Sequence, residues 1–182
     1  MSKQTIAGAV SRKLFEASGR RVYAVLDGAS IPDLALPQVL WEHEPEHVCL
    51  YRGELAPDVA ATAPYLVALG RESSFTHWLI NEGWGKHWGI FAVAPEETDL
   101  KVMRKHFRTF LMVMSPEGKP LYFRYYDPRV LRVFLPTCNA EETRTVFGPV
   151  QGYLLEGMDP QGMLVFEPAD RAPRLQEVKL EI

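Results

Sequence analysis

Residues 121–136 read LYFRYYDPRVLRVFLP. The first half alternates with the period of a strand. Leu121, Phe123 and Tyr125 fall on one face, and Tyr122, Arg124 and Tyr126 on the other. Asp127-Pro128 then changes the period. Aspartate is a favoured N-cap, and proline suits the first helical turn because its missing N–H would be unpaired there anyway. Val130, Leu131, Phe134 and Leu135 recur at helical spacing, Arg129 and Arg132 lie one turn apart on another face, and Pro136 stops the helix. The stretch predicts a strand, an abrupt turn and a short helix, with arginines and one aspartate at the junction. Two readings of that junction stand side by side. Arg124 pairs with a buried carboxylate while Asp127 only caps the helix, or the corner binds an anion or a partner.

Outward from there, the chain alternates apolar runs with turn signals. Residues 4–17 predict a short amphipathic helix carrying Ile6, Val10, Leu14 and Phe15, closed by Gly19. Residues 21–26, RVYAVL, predict a buried strand that delivers Asp27 to its carboxyl end, where ligands gather in open α/β sheets. Pro32 opens a helix running through Trp41. Residues 48–51 and 64–69 predict two more strands. Ser73 caps a helix bearing Phe75, Trp78 and Leu79 that ends at Gly83. The sequence GWGKHWG at 83–89 is neither G-x-G-x-x-G nor a Walker loop, and reads as a tight turn into a strand over 88–93. Trp84 is the residue there whose exposure matters.

Pro95, Glu96, Glu97 and Asp99 begin an acidic helix start, with Leu100, Met103 and Phe107 as its apolar stripe. Lys101, Arg104, Lys105 and Arg108, with His106 among them, read as a solvated basic face. Residues 110–114 predict a strand, and Pro116–Lys119 a hairpin turn into the stretch quoted first. Asn139 and Glu142 form a capping box, and Phe147-Gly148-Pro149 closes that helix. Strands follow at 150–156 and 163–166, and from Pro168 the charged, proline-containing chain reads as a loose end. Strands alternating with helices, then a late hairpin, predict a single domain of α/β (mixed α+β) class with a mixed β-sheet flanked by helices. The organisation expected is a helical segment at 1–19, an α/β domain at 20–156 and a short hairpin or tail at 157–182.

Composition narrows the function. An apolar fraction of 47% in 182 residues fits a globular domain with a real core. The net charge of −3 gives no overall attraction to polyanions. Residues 101–132 nevertheless hold eight Lys/Arg against two Asp/Glu, while the remainder holds twelve against twenty-one. A basic centre in an acidic frame suits an acidic partner surface or internal ion pairing. Two cysteines, Cys49 and Cys138, imply no disulfide framework, and a reducing cytoplasm is the simplest home. The N-terminal apolar run is too short for a signal peptide, and no segment is long enough to span a membrane.

His43-Glu44-Pro45-Glu46-His47 matches H-E-x-x-H in form. Pro45 breaks the continuous helix that such a zinc site needs, so a charged surface turn and no metal are expected. No cofactor motif is present. An enzymatic alternative gathers Asp27 and Asp127 with His106, Arg108 and Arg124 for phosphoester hydrolysis, without any nucleophile motif. Nucleic-acid binding lacks a recognised module.

Seven stretches in order, VYAVLDGA (22–29), LYRGE (50–54), PYLVAL (64–69), NEGWGKHWGIF (81–91), MRKHFRTFLMV (103–113), LYFRYYDPRVLRVFLPTC (121–138) and FGPV (147–150), resemble the bacterial type VI secretion adaptor family. That family was first catalogued as a domain of unknown function. The resemblance implies a cytoplasmic chaperone or adaptor without catalysis. Its implied partners are a type VI effector as cargo and the VgrG spike or its PAAR tip. Many relatives continue into a helical lobe that helps clamp cargo; about 30 residues follow the last motif here, which points to an abbreviated clamp or a dispensable lobe. Contact residues do not transfer from the family position by position. Chemistry alone nominates Trp84, Arg104, Arg108, Arg124, Tyr126, Arg129 and Arg132 as partner-binding residues, with Asp127 as a structural cap.

Overall fold

Residues 22–27 are buried without a break, so the strand they form needs cover on both faces. The structure, a computed structural model, describes residues 3–181; residues 1, 2 and 182, the extreme ends of the 1–19 and 157–182 segments, lie outside it. The described chain runs α1 (Lys3–Leu14), β1 (Arg20–Asp27), α2 (Leu36–His43), β2 (His47–Cys49), α3 (Pro57–Thr62), β3 (Pro64–Leu69), α4 (Ser74–Trp78) and β4 (Gly89–Pro95). It continues through α5 (Leu100–Thr109), β5 (Met112–Met114), β6 (Pro120–Tyr122), α6 (Pro128–Phe134), α7 (Ala140–Phe147), β7 (Gly152–Glu156), β8 (Gly162–Glu167) and β9 (Arg174–Lys179).

Seven strands form one sheet in the order β2-β3-β1-β4-β7-β8-β9, and β5 and β6 pair apart from it. Alternation along β1 sends Val22, Ala24 and Leu26 into one apolar cluster and Tyr23 and Val25 into the other. On the first face lie Val10 and Leu14 of α1, Leu36 and Leu40 of α2, and Phe75 of α4. On the second lie Met103 and Phe107 of α5, Leu131 of α6, and Val146 and Phe147 of α7. The sheet is thus the middle of three layers, and each large apolar side chain it covers contributes about 1.5–3 kcal/mol. The α+β class and the single domain are as expected. The paired strands are antiparallel throughout, where a mixture of directions was expected. Strand–helix alternation does not fix direction, because a connecting helix can return the chain to either end of the sheet.

Other elements depart from their sequence pattern. Of residues 121–126 only Leu121 and Tyr122 continue a strand, and it belongs to the small hairpin. The alternation breaks because Tyr125 and Tyr126 are both buried, across a turn in which Asp127 N–H donates to Arg124 O at 3.0 Å. The segment after Pro168 returns as β9 along β8, so it is not a loose end. The helix expected from Pro32 is interrupted by Asp33 at φ 58° and resumes at Leu36. Ser73 precedes α4 without a side-chain capping bond. At HEPEH, α2 stops at His43 and Glu44 turns left-handed at φ 47° as its C-cap, so the helix does not run on through Pro45. His43 Nδ1 meets Ser74 Oγ at 2.8 Å, whereas His47 begins β2 with its Nδ1 2.7 Å from Pro45 O.

His106 corrects the picture of a solvated basic face. It is buried between α5 and α7, with Nε2 donating to Val146 O at 2.9 Å and its ring against Phe107 and Phe110. Gly148 sits on that ring at φ 46°; a Cβ there would come within 2.6 Å of Nδ1, so glycine is required on two counts. Burial drives the His106 pKa from 6.5 down to about 4, against the opposing bond to Val146. The unfolded chain therefore takes up the proton first, and stability falls as pH drops below about 6.5, the loss saturating near 4. Between pH 7 and 5 this histidine should remove on the order of 2 kcal/mol. Urea unfolding across that range should show the loss in the native chain and much less of it in His106→Gln; equal acid sensitivity would refute the assignment.

Candidate partner-binding site

Asp27 ends β1 on the α5–α6 face and is 1% exposed. Its Oδ1 accepts from Ala29 N–H at 3.1 Å, and its Oδ2 from Ser30 Oγ at 2.8 Å and Arg124 Nη2 at 2.5 Å. Asp127, 3% exposed, caps α6: Oδ1 accepts from Arg129 N–H at 2.9 Å and Arg129 Nε at 3.0 Å, and Oδ2 from Arg129 Nη2 at 2.7 Å. Arg124 Nη2 also stands 4.0 Å from Asp127 Oδ2, so one guanidinium joins both carboxylates. Burial by itself raises the Asp127 pKa; the Arg129 hydrogen bonds and the Arg129 and Arg124 charges outweigh it and hold the carboxyl below its ordinary value. Two aspartates and two arginines thus close a neutral corner. Both guanidiniums remain about half exposed, so the corner is a surface feature with buried anions.

The other nominated residues scatter around it. Tyr126 is buried, its phenol pushed up by burial first and then by neighbouring Tyr51, and it lines neither of the grooves described below. Arg108 clamps the end of β2, donating from Nε to Leu50 O at 2.8 Å and from Nη2 to Cys49 O at 3.2 Å and Tyr51 O at 2.5 Å. Arg132 Nη1 reaches Gly157 O at 3.4 Å, and Trp84 Nε1 donates to Pro160 O at 2.8 Å while its ring stacks on Phe91. These residues hold the molecule together. Arg104 is different: its buried Nε has no hydrogen-bond partner among the described residues. His106, placed with Asp27 and Asp127 in the hydrolase alternative, shares no hydrogen-bond partner with either.

Sequence inspection gave a hairpin turn at Pro116–Lys119, but not that the β5–β6 hairpin stands apart from the main sheet with its side chains exposed. Pairing of Met112 with Tyr122 and Met114 with Pro120 puts those residues on one face, and Val113 with Leu121 on the other. Met114 is 65% exposed and Tyr122 57%, and Met112, Val113 and Leu121 are exposed as well. An isolated two-stranded ribbon that is apolar on both faces gains little from its own fold. A groove of about 600 Å³ lies on each side. The first runs between the hairpin and α3, with Leu50, Leu55 and Leu111 below, the Tyr51–Tyr122 ring pair at 5.1 Å as a wall, and Arg52 and Arg108 at the rim. The second runs between the hairpin and α7, with Phe110, Phe123 and Phe134 below and Glu141 and Glu142 at the rim. The signal was present in the sequence as residues 112–114 and 120–122, but their alternation looked like an ordinary strand of the main sheet.

Residues 22–145 match the family model described as Domain of unknown function (DUF4123). The chain belongs to that family. No curated protein and no solved structure gives a significant match. The DUF4123 region takes in the Asp27–Arg124–Asp127 corner, the hairpin and nearly all of both grooves, and leaves β7, β8 and β9 outside. Three of the stretches quoted above meet within it at the first groove: 50–54 through Leu50, Tyr51 and Arg52, 103–113 through Arg108, Leu111 and Met112, and 121–138 through Tyr122; the stretch 22–29 joins 121–138 at the corner, through Asp27 and Arg124. Among the described residues no helix is long and apolar enough to cross a membrane.

The corner makes a stability prediction. Asp127→Ala removes the cap and leaves Arg129 without its bidentate partner, and should cost about 1–3 kcal/mol at pH 7. Because the folded pKa lies below the ordinary 3.8, that contribution is full above 3.8 and disappears as pH falls through the folded value. Chemical denaturation of wild type and variant from pH 7 to 3 should converge at the acid end; a constant difference would mean that capping charge plays no part.

Proposed function

We propose that this chain is a non-catalytic adaptor that holds a type VI secretion effector in the cytoplasm and helps mount it on the VgrG spike or its PAAR tip. The observation that carries this reading is the β5–β6 hairpin, whose exposed Met112, Val113, Met114, Leu121 and Tyr122 are available to cover apolar cargo. Secreted cargo that aggregates when bare needs such cover, and each large side chain buried on binding adds roughly 1.5–3 kcal/mol before ordering costs. Membership of DUF4123 and the seven ordered stretches support the same role.

The hydrolase alternative receives less support. Asp27 and Asp127 spend their oxygens on arginines, backbone amides and Ser30, and His106 is engaged with Val146 under α7. A general base needs a free lone pair within reach of substrate.

The test is co-purification with the effector encoded beside the gene, followed by titration. Wild type should bind it at about micromolar affinity or tighter. Replacing Met112, Met114 and Tyr122 together by serine should weaken binding by at least about tenfold, or roughly 1.4 kcal/mol, while leaving the melting temperature within a few degrees because these side chains are exposed. Phosphoester turnover by the purified chain that Asp127→Asn abolishes without unfolding it would overturn the proposal.

A further inference from the structure

The two faces of the hairpin share an apolar character but carry opposite rims. The groove against α3 has Arg52 and Arg108 among its lining residues and no Asp or Glu. Glu54 and Asp58 flank that segment in sequence, yet neither lines the groove. Arg104 stands beside Arg108 with its Nε unpartnered among the described residues. The cations repel one another as well: burial first, then the charges of Arg104 and Arg52, depress the Arg108 pKa. The groove against α7 has Glu141 and Glu142 and no Lys or Arg. Like charges gathered on an apolar trough with no ion-pair partner among the described residues are stabilised by a counter-ion arriving from outside.

We propose that the α3-side groove takes an amphipathic segment of the partner, its apolar side chains on Leu50, Leu55 and Leu111 and its Asp or Glu side chains against Arg52 and Arg108, with Arg104 adding to the positive field behind them. This rests on the adaptor role and assigns the chemistry of the cargo segment that role calls for. A helix presenting leucines along one stripe with carboxylates on the flanks fits an open trough of about 600 Å³ walled by Tyr51 and Tyr122. The apolar floor supplies affinity that salt does not screen, and the exposed Arg52 supplies attraction that salt does.

The probe is a set of three short fluorescein-labelled helical peptides with one leucine stripe and flanks of Glu, Gln or Lys. Binding to the full chain is read by anisotropy at low and high salt. The Glu peptide should bind at least about tenfold tighter than the Lys peptide at low salt, with the gap narrowing at high salt. Arg52→Glu, at an exposed position with no hydrogen bond or ion pair among the described residues, should erase the preference, and Glu141→Lys in the other groove should leave it intact. Circular dichroism and melting verify that both variants are folded. Equal or better binding of the Lys peptide, no binding of the Glu peptide, or a preference that survives Arg52→Glu overturns the inference. So does concentration-dependent self-association lost in Arg52→Glu, which would make a second copy the occupant. If the effector still co-purifies while the peptides show no acidic preference, the groove assignment falls and the adaptor role stands. If the peptides behave as expected but no effector is held, the adaptor role falls and the groove chemistry stands.

Discussion

Arg124 spans from the end of β1 to the start of α6, joining residues 97 positions apart in sequence. Its guanidinium is half exposed, but the carboxylate it serves is buried at Asp27. Surface ion pairs contribute little because water competes for both partners. Here water reaches one side only, and removing the arginine would leave a buried anion with a hydroxyl and one amide for company. The bond fixes where the chain leaves the sheet's edge, hence where α6 starts and where the hairpin before it stands. Tyr125 and Tyr126 follow at once, the first stacked on Phe107 and bonded to its carbonyl at 2.8 Å, the second beside Tyr51. The corner thus lies two residues beyond Tyr122, the hairpin residue that walls the α3-side groove with Tyr51.

The three-layer core and the hairpin divide the work of the molecule. The sheet buries apolar side chains on both faces and gives the fold its stability. The hairpin buries few, and its two short strands stand off the sheet on a stalk of aromatic contacts, Phe123 against Phe134 and Phe110 against Tyr125. Stable scaffolds carrying exposed, weakly self-stabilised elements are a common arrangement for binding, because such elements can adjust to a partner without disturbing the core. Exposed methionines suit that use, being unbranched and polarizable.

Several of the nominated residues also have structural partners visible only in three dimensions. Arg108 belongs to a basic helix face by sequence, yet its planar fork matches the three carbonyls that β2 leaves open at its end. Trp84 sits in a glycine-rich stretch that reads as a tight turn into a strand, and its indole ties that turn to the one between β7 and β8. Gly28, next to Asp27, allows the backbone to pass within van der Waals contact of α3, where a Cβ would lie 2.5 Å from Ala61 O. Each role depends on a partner distant in the chain.

The local code of this protein was legible in its sequence. The buried run at 22–27, the Asp127-Pro128 helix start, the Asn139–Glu142 capping box and the helix break before Pro45 follow from period, capping and proline sterics within a few residues. The α+β class followed from the same signals. Strand direction did not, since it depends on where each helix returns the chain. Nor did the fate of residues 112–122: alternation marks a strand but does not say which sheet receives it, and only the packing of Tyr125 and Tyr126 turned this one away from the core. His106 was misplaced for a similar reason: it was grouped with the exposed Lys101 and Lys105, while α7, forty residues on, covers its ring. The candidate site arises because segments around 27, 52, 108 and 122 converge, and convergence is a property of the folded chain alone.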